Sequence, residues 1–163
     1  MISKTIQNAI NEQINKELFS AYLYLSMATY CAESNLPGFA RWLRVQSDEE
    51  NKHAMKLYGY VHQHGNHVEL QGIDKPPVKF KSPRDIFNHV LEHEQKVTGM
   101  INKLYELALK EDDYPTQIFL QWFVTEQVEE EKNAVEIIER MKMIGDQMSL
   151  MIMLDREMGA RAL

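Results

Sequence analysis

Four long stretches of this sequence repeat apolar residues at steps of three and four, which is the period of an amphipathic α-helix. In the first stretch these residues are Ile6, Ile10, Ile14, Leu18, Ala21, Leu25 and Ala28. The second stretch begins within "NLPGF", the third begins within "SPRD" and the fourth follows "DDYP". Helices of about 28 residues are about 42 Å long. The pattern therefore predicts an all-α fold built from four long helices.

Residues typical of helix ends separate these stretches. Ser82 suits an N-cap and Pro83 suits the first helical position of the third helix. Gly145 ends the fourth helix, and Asp146 is predicted to cap a short fifth helix that continues to about Glu157. The fold should therefore finish with a short C-terminal helix.

The connection between the second and third helices is much longer than the other two. It covers 17 residues from Gly65 to Lys81, without a helical period, and could extend to about 55 Å. That is enough to run the length of the bundle, as a crossover between parallel helices requires. We therefore predict one domain over residues 1–163. It comprises a four-helix bundle over 1–145, with a long crossover, and a short helix and tail over 146–163.

Each long helix also places ligand-type polar residues on its apolar stripe. They are Glu17, Glu50 with His53, Glu94, and Gln127 with Glu130. A single glutamate in a helix usually faces solvent. An unpaired carboxylate in an apolar core costs several kcal/mol, so such groups are normally neutralised, paired or bound to metal. Their recurrence on four stripes predicts a shared interior site.

The spacing of these residues indicates an internal repeat. A shift of 77 residues places Glu17 on Glu94, Glu50 on Gln127 and His53 on Glu130. Within each half, the first two of these positions are 33 residues apart. The chain thus reads as two helical hairpins, each carrying one set of site residues.

The chemistry of these side chains favours a metal site. Glu50 and His53 are three residues apart on one helix face and can bind one ion together. Oxygen-rich sites with one imidazole suit iron or manganese. Cys31 is the only cysteine, so neither an internal disulfide nor a CxxC metal site can form.

Three segments resemble the signatures of the ferritins, specifically the non-haem bacterial and archaeal type. They are "INKELFSAYLYLSMA", "DEENKHAMKLYGY" and "FVTEQVEEEKNA", and the resemblance covers nearly the whole chain. It implies a ferritin-like four-helix bundle and a ferroxidase centre that oxidises Fe(II) with O2 or H2O2. It further implies a 24-subunit shell that stores ferric mineral.

The resemblance also implies a role for each site residue. A first iron would be bound by Glu17, Glu50 and His53. Glu50 would bridge to a second iron held by Glu94 and Glu130, with Gln127 beside it as a neutral oxygen or hydrogen-bonding group. The ligands of a third iron position correspond to Glu49, Glu126, Glu129 and Glu130. Tyr24 would lie beside the iron pair, where it can give an electron or a hydrogen bond, or simply pack in the core.

Two departures from the haem-binding bacterioferritins predict that this chain binds no haem. Those proteins carry a second ExxH on the fourth helix, where this chain has Gln127 and Glu130. They also have a methionine where this chain has Asn51. Trp122 and the methionines near the C-terminus are predicted to pack as apolar side chains rather than to bind a cofactor. These methionines are Met141, Met143, Met148, Met151, Met153 and Met158. The fifth helix would pack around a fourfold axis of the shell.

Composition and charge exclude other partners. The net charge of −6 argues against nucleic acid as a partner, because no basic stripe is available for phosphates. The N-terminus lacks the apolar run of a signal peptide, and "MSLMIML" is too short to cross a membrane. We therefore expect a cytoplasmic protein.

Two alternatives to iron storage fit the sequence less well. A di-iron peroxidase of the rubrerythrin type would usually carry a thiolate iron domain, which a single cysteine cannot provide. A metal-free helical bundle acting as a binding or structural protein would leave the six aligned polar residues without a role. Zinc or manganese could also occupy the site.

Overall fold

A computed structural model of the chain describes residues 1–161, and this part contains five α-helices and no β-strand. The helices are α1 (Lys4–Glu33), α2 (Pro37–Gln63), α3 (Pro83–Lys110), α4 (Tyr114–Ile144) and α5 (Met148–Met158). The predicted all-α fold, with four long helices and a short fifth one, is confirmed.

Side-chain caps begin three of the long helices. Ser3 Oγ accepts a hydrogen bond from the Ile6 amide at 3.1 Å at the start of α1. Ser82 Oγ accepts a hydrogen bond from the Asp85 amide at 3.1 Å, as predicted for the start of α3. Asp113 Oδ1 accepts from the Thr116 amide at 3.0 Å at the start of α4. Each cap satisfies one of the backbone donors that a helix N-terminus leaves without a partner.

The long connection between α2 and α3 is the predicted crossover. It runs along α1, which holds it through side-chain to backbone hydrogen bonds at both ends of the bundle. Gln7 Nε2 donates to the His67 carbonyl at 2.7 Å, and Ser26 Oγ donates to the Pro77 carbonyl at 2.7 Å. The connection therefore joins two helical hairpins, α1–α2 and α3–α4.

The apolar core is divided into two clusters that lie at different heights along the bundle. One cluster includes Tyr24, Met27, Phe39, Leu43, Phe87, Val90, Ala134 and Met141. The other includes Ile6, Ile10, Ile14, Leu57, Val97, Ile101, Leu120 and Phe123. On every long helix, the polar residues singled out in the sequence fall between the members of these two clusters. The interior is thus apolar at both levels and polar between them.

Two details of the sequence prediction are wrong. Leu25 is 46% exposed, because the buried face of that half of α1 is centred on Tyr24 and Ala28 and Leu25 lies about 100° around the helix from Tyr24. Asp146 does not cap α5. Gln147 occupies the N-cap position, without a side-chain hydrogen bond to the helix.

Among residues 1–161, no helix combines the length and the apolar character needed to cross a lipid bilayer.

Candidate metal centre

The polar layer between the two apolar clusters contains the predicted interior site residues. All of them are at most 5% exposed: Glu17, Glu50, His53, Glu94, Gln127 and Glu130. Four helices contribute to this layer, which follows from the position of these residues on the apolar stripe of each helix. The inward orientation predicted from the sequence is therefore confirmed.

Two groups of potential ligands meet at His53. Glu17, Glu50 and His53 each offer an atom within 4.8 Å of the others, and so do His53, Glu126 and Glu130. Carboxylates with one imidazole form a ligand set that suits iron and manganese. The two groups share the His53 ring, whose Nδ1 lies 3.4 Å from Glu50 Oε2 and whose Nε2 lies 4.0 Å from Glu126 Oε1.

Two buried carboxylate oxygens in the first group have no hydrogen-bond partner. They are Glu17 Oε2 and Glu50 Oε2. His53 Nδ1 lies 3.4 Å from Glu50 Oε2, outside hydrogen-bond geometry. A buried acceptor without a donor costs about 1–3 kcal/mol, and more when it is charged. A cation bound between these oxygens would remove that cost, so the residues present fit a metal ion.

Burial shifts the pKa of three of these carboxyl groups upward. It raises the pKa of Glu50 well above the ordinary value, and the neighbouring Glu17 and Glu94 carboxylates add to the rise. Burial raises the pKa of Glu94 to about 7 and, with the Glu94 charge, that of Glu130 to about 8. Without a cation, the layer therefore retains protons near neutral pH.

The imidazole of His53 shifts in the opposite direction. Burial lowers the pKa of His53, although the carboxylates of Glu17, Glu126 and Glu49 act to raise it. His53 is consequently neutral at pH 7 and has a ring nitrogen free to bind a metal. A neutral imidazole beside partly protonated carboxyls is suited to exchanging protons for a cation.

Glu94 is held by two donors rather than by the ligand groups. The Tyr24 hydroxyl donates to Glu94 Oε1, and Gln127 Nε2 donates to Glu94 Oε2 at 3.1 Å. Burial and the Glu94 charge raise the pKa of Tyr24 well above its ordinary value, so its hydroxyl stays protonated. Tyr24 therefore lies beside the layer as predicted, and Gln127 acts there as a hydrogen-bond donor.

The residues predicted for a third position are only partly brought together. Glu126 Oε1 lies 4.0 Å from His53 Nε2, and Glu126 groups with Glu130. Glu49 instead forms an ion pair with Arg161. Glu129 is exposed and belongs to neither of the two ligand groups found in residues 1–161.

Two glutamines that contact the site carboxylates had no role in the sequence prediction. Gln13 Nε2 donates to Glu17 Oε1 at 2.7 Å, and Gln46 Nε2 donates to Glu130 Oε2 at 2.5 Å. Gln13 precedes Glu17 by four residues, and Gln46 precedes Glu50 by four. This spacing puts each glutamine on the inward helix face, so a search for polar residues one turn before each glutamate could have found both.

Aromatic and imidazole rings surround the polar layer. His93 Nε2 lies 2.7 Å from Ser20 Oγ, and the edge of its ring faces Tyr24 with centroids 5.8 Å apart. Trp122 packs edge-on against His53 at 5.3 Å, which confirms a packing role, although it is 38% exposed. These contacts fix the orientation of the His53 and Tyr24 side chains.

Comparison with known proteins identifies the family of this chain. Residues 7–144 match the family described as the ferritin-like domain. The chain is 45% identical over 146 residues to the bacterial non-heme ferritin of Campylobacter jejuni, covering 90% of this chain and 87% of that protein. The chain belongs to the ferritin family. A bacterial non-heme ferritin of Bacteroides fragilis is 41% identical over 161 residues, covering 99% of this chain and all of that one.

Solved ferritin structures have the same fold. The open pore ferritin of the archaeon Archaeoglobus fulgidus superposes with a TM-score of 0.98 at 46% identity, covering 99% of this chain and 98% of that chain. An engineered closed form of that ferritin superposes with a TM-score of 0.99 at 45% identity, covering 100% and 99%. As a member of this family, the chain is an iron-storage protein that binds iron.

Proposed function

We propose that this ferritin is a ferroxidase, which oxidises Fe(II) at a dinuclear centre inside each subunit and delivers ferric iron for storage. The observation that carries the proposal is the pair of buried oxygens without a hydrogen-bond donor on Glu17 and Glu50, two residues that with His53 offer ligand atoms within 4.8 Å of one another. Such a group has little use in a protein core unless a cation binds to it.

The proposed ligands divide between two iron positions. Glu17, Glu50 and His53 bind the first iron, and Glu50 bridges to the second, which Glu94 and Glu130 hold. Gln127 stays outside the ligand set and orients Glu94 through its 3.1 Å hydrogen bond. A third, weaker position uses Glu49, Glu126, Glu129 and Glu130. Manganese or zinc would meet the same ligands.

Two irons in one site match the electron count of the reaction. Each Fe(II) gives up one electron, so the pair supplies the two electrons that reduce O2 to H2O2, or H2O2 to two molecules of water. Each of these reductions consumes two protons. Carboxyl groups with raised pKa values, such as Glu94 and Glu130, lose protons when Fe(II) enters, which couples iron binding to proton release.

The assembled protein is proposed to be a shell of 24 subunits in the cytoplasm. In the single chain, α5 exposes Met148, Ile152 and Met153, which are 69%, 44% and 64% accessible. An exposed apolar helix of this kind is explained if copies of α5 pack together around a symmetry axis. The mass expected is about 460 kDa, which is 24 times the 19.1 kDa of the chain.

Aerobic addition of Fe(II) to the purified protein tests this function. We expect rapid growth of ferric absorbance and retention of the iron in a particle of the expected mass. Replacing Glu50 or His53 with alanine should slow the fast phase at least about tenfold, with assembly intact. The control is Glu12→Ala, which removes an exposed carboxylate of α1. A monomer that neither oxidises nor retains iron would contradict the proposal.

A further inference from the structure

The side chain of Arg161, just beyond α5, lies against α2 next to the polar layer. Its guanidinium forms an ion pair with Glu49 Oε2, donates from Nη1 to Gln46 Oε1 at 2.9 Å, and lies 4.7 Å from the centre of the Trp42 ring. Its carbonyl accepts from Arg41 Nε at 3.2 Å. Four separate contacts therefore fix this arginine, which distinguishes it from a freely moving surface cation.

The packing of α5 on α2 explains why Arg161 reaches this place. Asp155 Oδ1 accepts a hydrogen bond from the Phe39 amide at 2.8 Å. The backbones of Gly38 and Gly159 are so close that a Cβ added to Gly159 would lie 3.1 Å from the Gly38 Cα. These contacts anchor the C-terminal segment at the start of α2.

The residues that Arg161 contacts continue up one face of α2 from this anchor. Trp42, Gln46 and Glu49 are separated by four and three residues and therefore share a helix face. The guanidinium lies along that face. It follows that the docking of α5 determines whether Arg161 can reach Glu49.

Gln46 connects Arg161 to a proposed iron ligand. A guanidinium has only donors, so Gln46 must turn its carbonyl oxygen toward Arg161. Its amide nitrogen then faces Glu130 and donates to Oε2 at 2.5 Å. The arginine thereby sets the orientation of the amide, and the amide holds one oxygen of Glu130. The charge of Arg161 also opposes the burial that raises the pKa of Glu130.

We propose that Arg161 is a built-in cation of the third iron position, which pairs with Glu49 and orients Glu130 through Gln46 until iron displaces it. This inference rests on the proposed function, because it concerns the third set of ligands named there. Fe(II) and a guanidinium compete for the same carboxylate and repel each other at short distance. Arg161 therefore weakens the third position relative to the first two.

Binding of iron at Glu49 also affects the hydrogen bonding of Glu130. When iron binds at Glu49, the guanidinium must leave, and the amide of Gln46 is then free to turn away from Glu130. Glu130 belongs to both the dinuclear pair and the third position. Displacement of Arg161 thus changes the hydrogen bonding of a shared ligand at the moment when a further ion arrives.

Anaerobic titration of the assembled protein with Fe(II), followed by calorimetry, tests this proposal. Compared with the unaltered protein, Arg161→Gln should bind the third ion per subunit at least about tenfold more tightly, because one repelling charge is removed. The first binding event, at Glu17, Glu50 and His53, should keep its affinity because none of these residues contacts Arg161 or Gln46. The control is Arg156→Gln, which removes the same charge from an exposed position on α5 and should leave all three events unchanged.

A double variant identifies the carboxylate involved. In Glu49→Gln combined with Arg161→Gln, the tightening of the third event should disappear, because the ligand that Arg161 occupied is gone. An unchanged third event in Arg161→Gln, or equal tightening in Arg156→Gln, would overturn the proposal while leaving the dinuclear centre intact. Loss of the first two events in every protein, including the unaltered one, would contradict the proposed function and this inference together.

Discussion

Glu17 and Glu50 each keep one carboxylate oxygen in the core without a hydrogen-bond donor, and this arrangement opposes folding of the metal-free chain. Around them, Gln13, Gln46 and Gln127 each donate to one carboxylate, so part of the polar layer is satisfied. The remaining unpaired oxygens are the ones that a cation would bind. Function at this site therefore reduces the stability of the metal-free protein.

Replacing Glu50 with glutamine should therefore stabilise the metal-free protein. Removing a buried acid that has no counter-ion is expected to raise the free energy of unfolding by about 1 kcal/mol or more per subunit. The same change should abolish most of the stabilisation that added metal gives the unaltered protein. Thermal unfolding with chelator and with excess Zn(II) measures both effects.

Asp48→Asn is the matched control for that experiment, because Asp48 is an exposed acid on the same helix. It should change the free energy of unfolding by no more than about 0.5 kcal/mol and leave the response to metal intact. If Glu50→Gln destabilised the metal-free protein and kept the full metal response, the role assigned to Glu50 would be wrong.

The raised pKa values of Glu94, about 7, and Glu130, about 8, predict how stability depends on pH. The folded chain keeps both protons up to these pKa values, whereas the unfolded chain loses them near the ordinary value of 4.5. The stabilisation is therefore complete below pH 4.5 and is lost as pH rises through the folded-state values of about 7 and 8, at about 1.4 kcal/mol per pH unit for each proton. Thermal unfolding of the metal-free protein should shift to lower temperature between pH 6.5 and pH 8 and level off above pH 8.

Histidines do not produce this trend. The pKa values of His53 and His93 are lowered by burial, the latter to about 4, so their effect on stability is confined to pH values near and below 6.5 and has the opposite sign. Glu130→Gln should flatten the decline above pH 7. A metal-free protein whose unfolding temperature is constant or increases from pH 6.5 to pH 8 would contradict the assignment.

At the scale of helices, the close approach of α5 to α2 depends on one glycine. A Cβ added to Gly38 would lie 1.6 Å from the Asp155 carbonyl oxygen, so Gly38→Ala must push α5 away from α2. We expect a loss of about 1–3 kcal/mol and faster hydrogen exchange in α5. Hydrogen exchange with mass spectrometry, combined with thermal unfolding, measures both changes.

Gly59→Ala provides the comparison on the same helix. Nothing lies within 4 Å of a Cβ added at Gly59, and alanine favours helix over glycine by about 0.5–1 kcal/mol. This variant should be unchanged or slightly stabilised, with α5 exchanging as before. Equal behaviour of the two variants would show that the contact at Gly38 does not hold α5.

The helices themselves were largely predictable from sequence, since the apolar period and the caps are local properties. Ser82 caps α3 as expected, and Glu17 and Glu94 face inward as expected. The apolar period wrongly predicts a buried side chain at Leu25, which lies beside the buried face of α1. Contacts that depend on how two helices pack against each other were not predictable in this way. Arg161 reaches Glu49 only because α5 packs on α2, and no local sequence pattern predicts that packing.

At the scale of the whole molecule, the two apolar clusters explain how one bundle can be both stable and reactive. Each cluster packs side chains from all four long helices, so the bundle is held together above and below the polar layer. The unfavourable carboxylates are confined to the level between them. Changes at Glu50 or His53 are therefore expected to alter iron chemistry without dismantling the fold.

The most direct test of the central claim is the position of iron in crystals soaked anaerobically with Fe(II), located by anomalous scattering at the iron edge. Two strong peaks are expected inside every subunit, about 3.5–4 Å apart. One should lie between Glu17, Glu50 and His53, and the other between Glu50, Glu94 and Glu130. Anomalous peaks confined to exposed carboxylates, with none in the polar layer, would contradict the account.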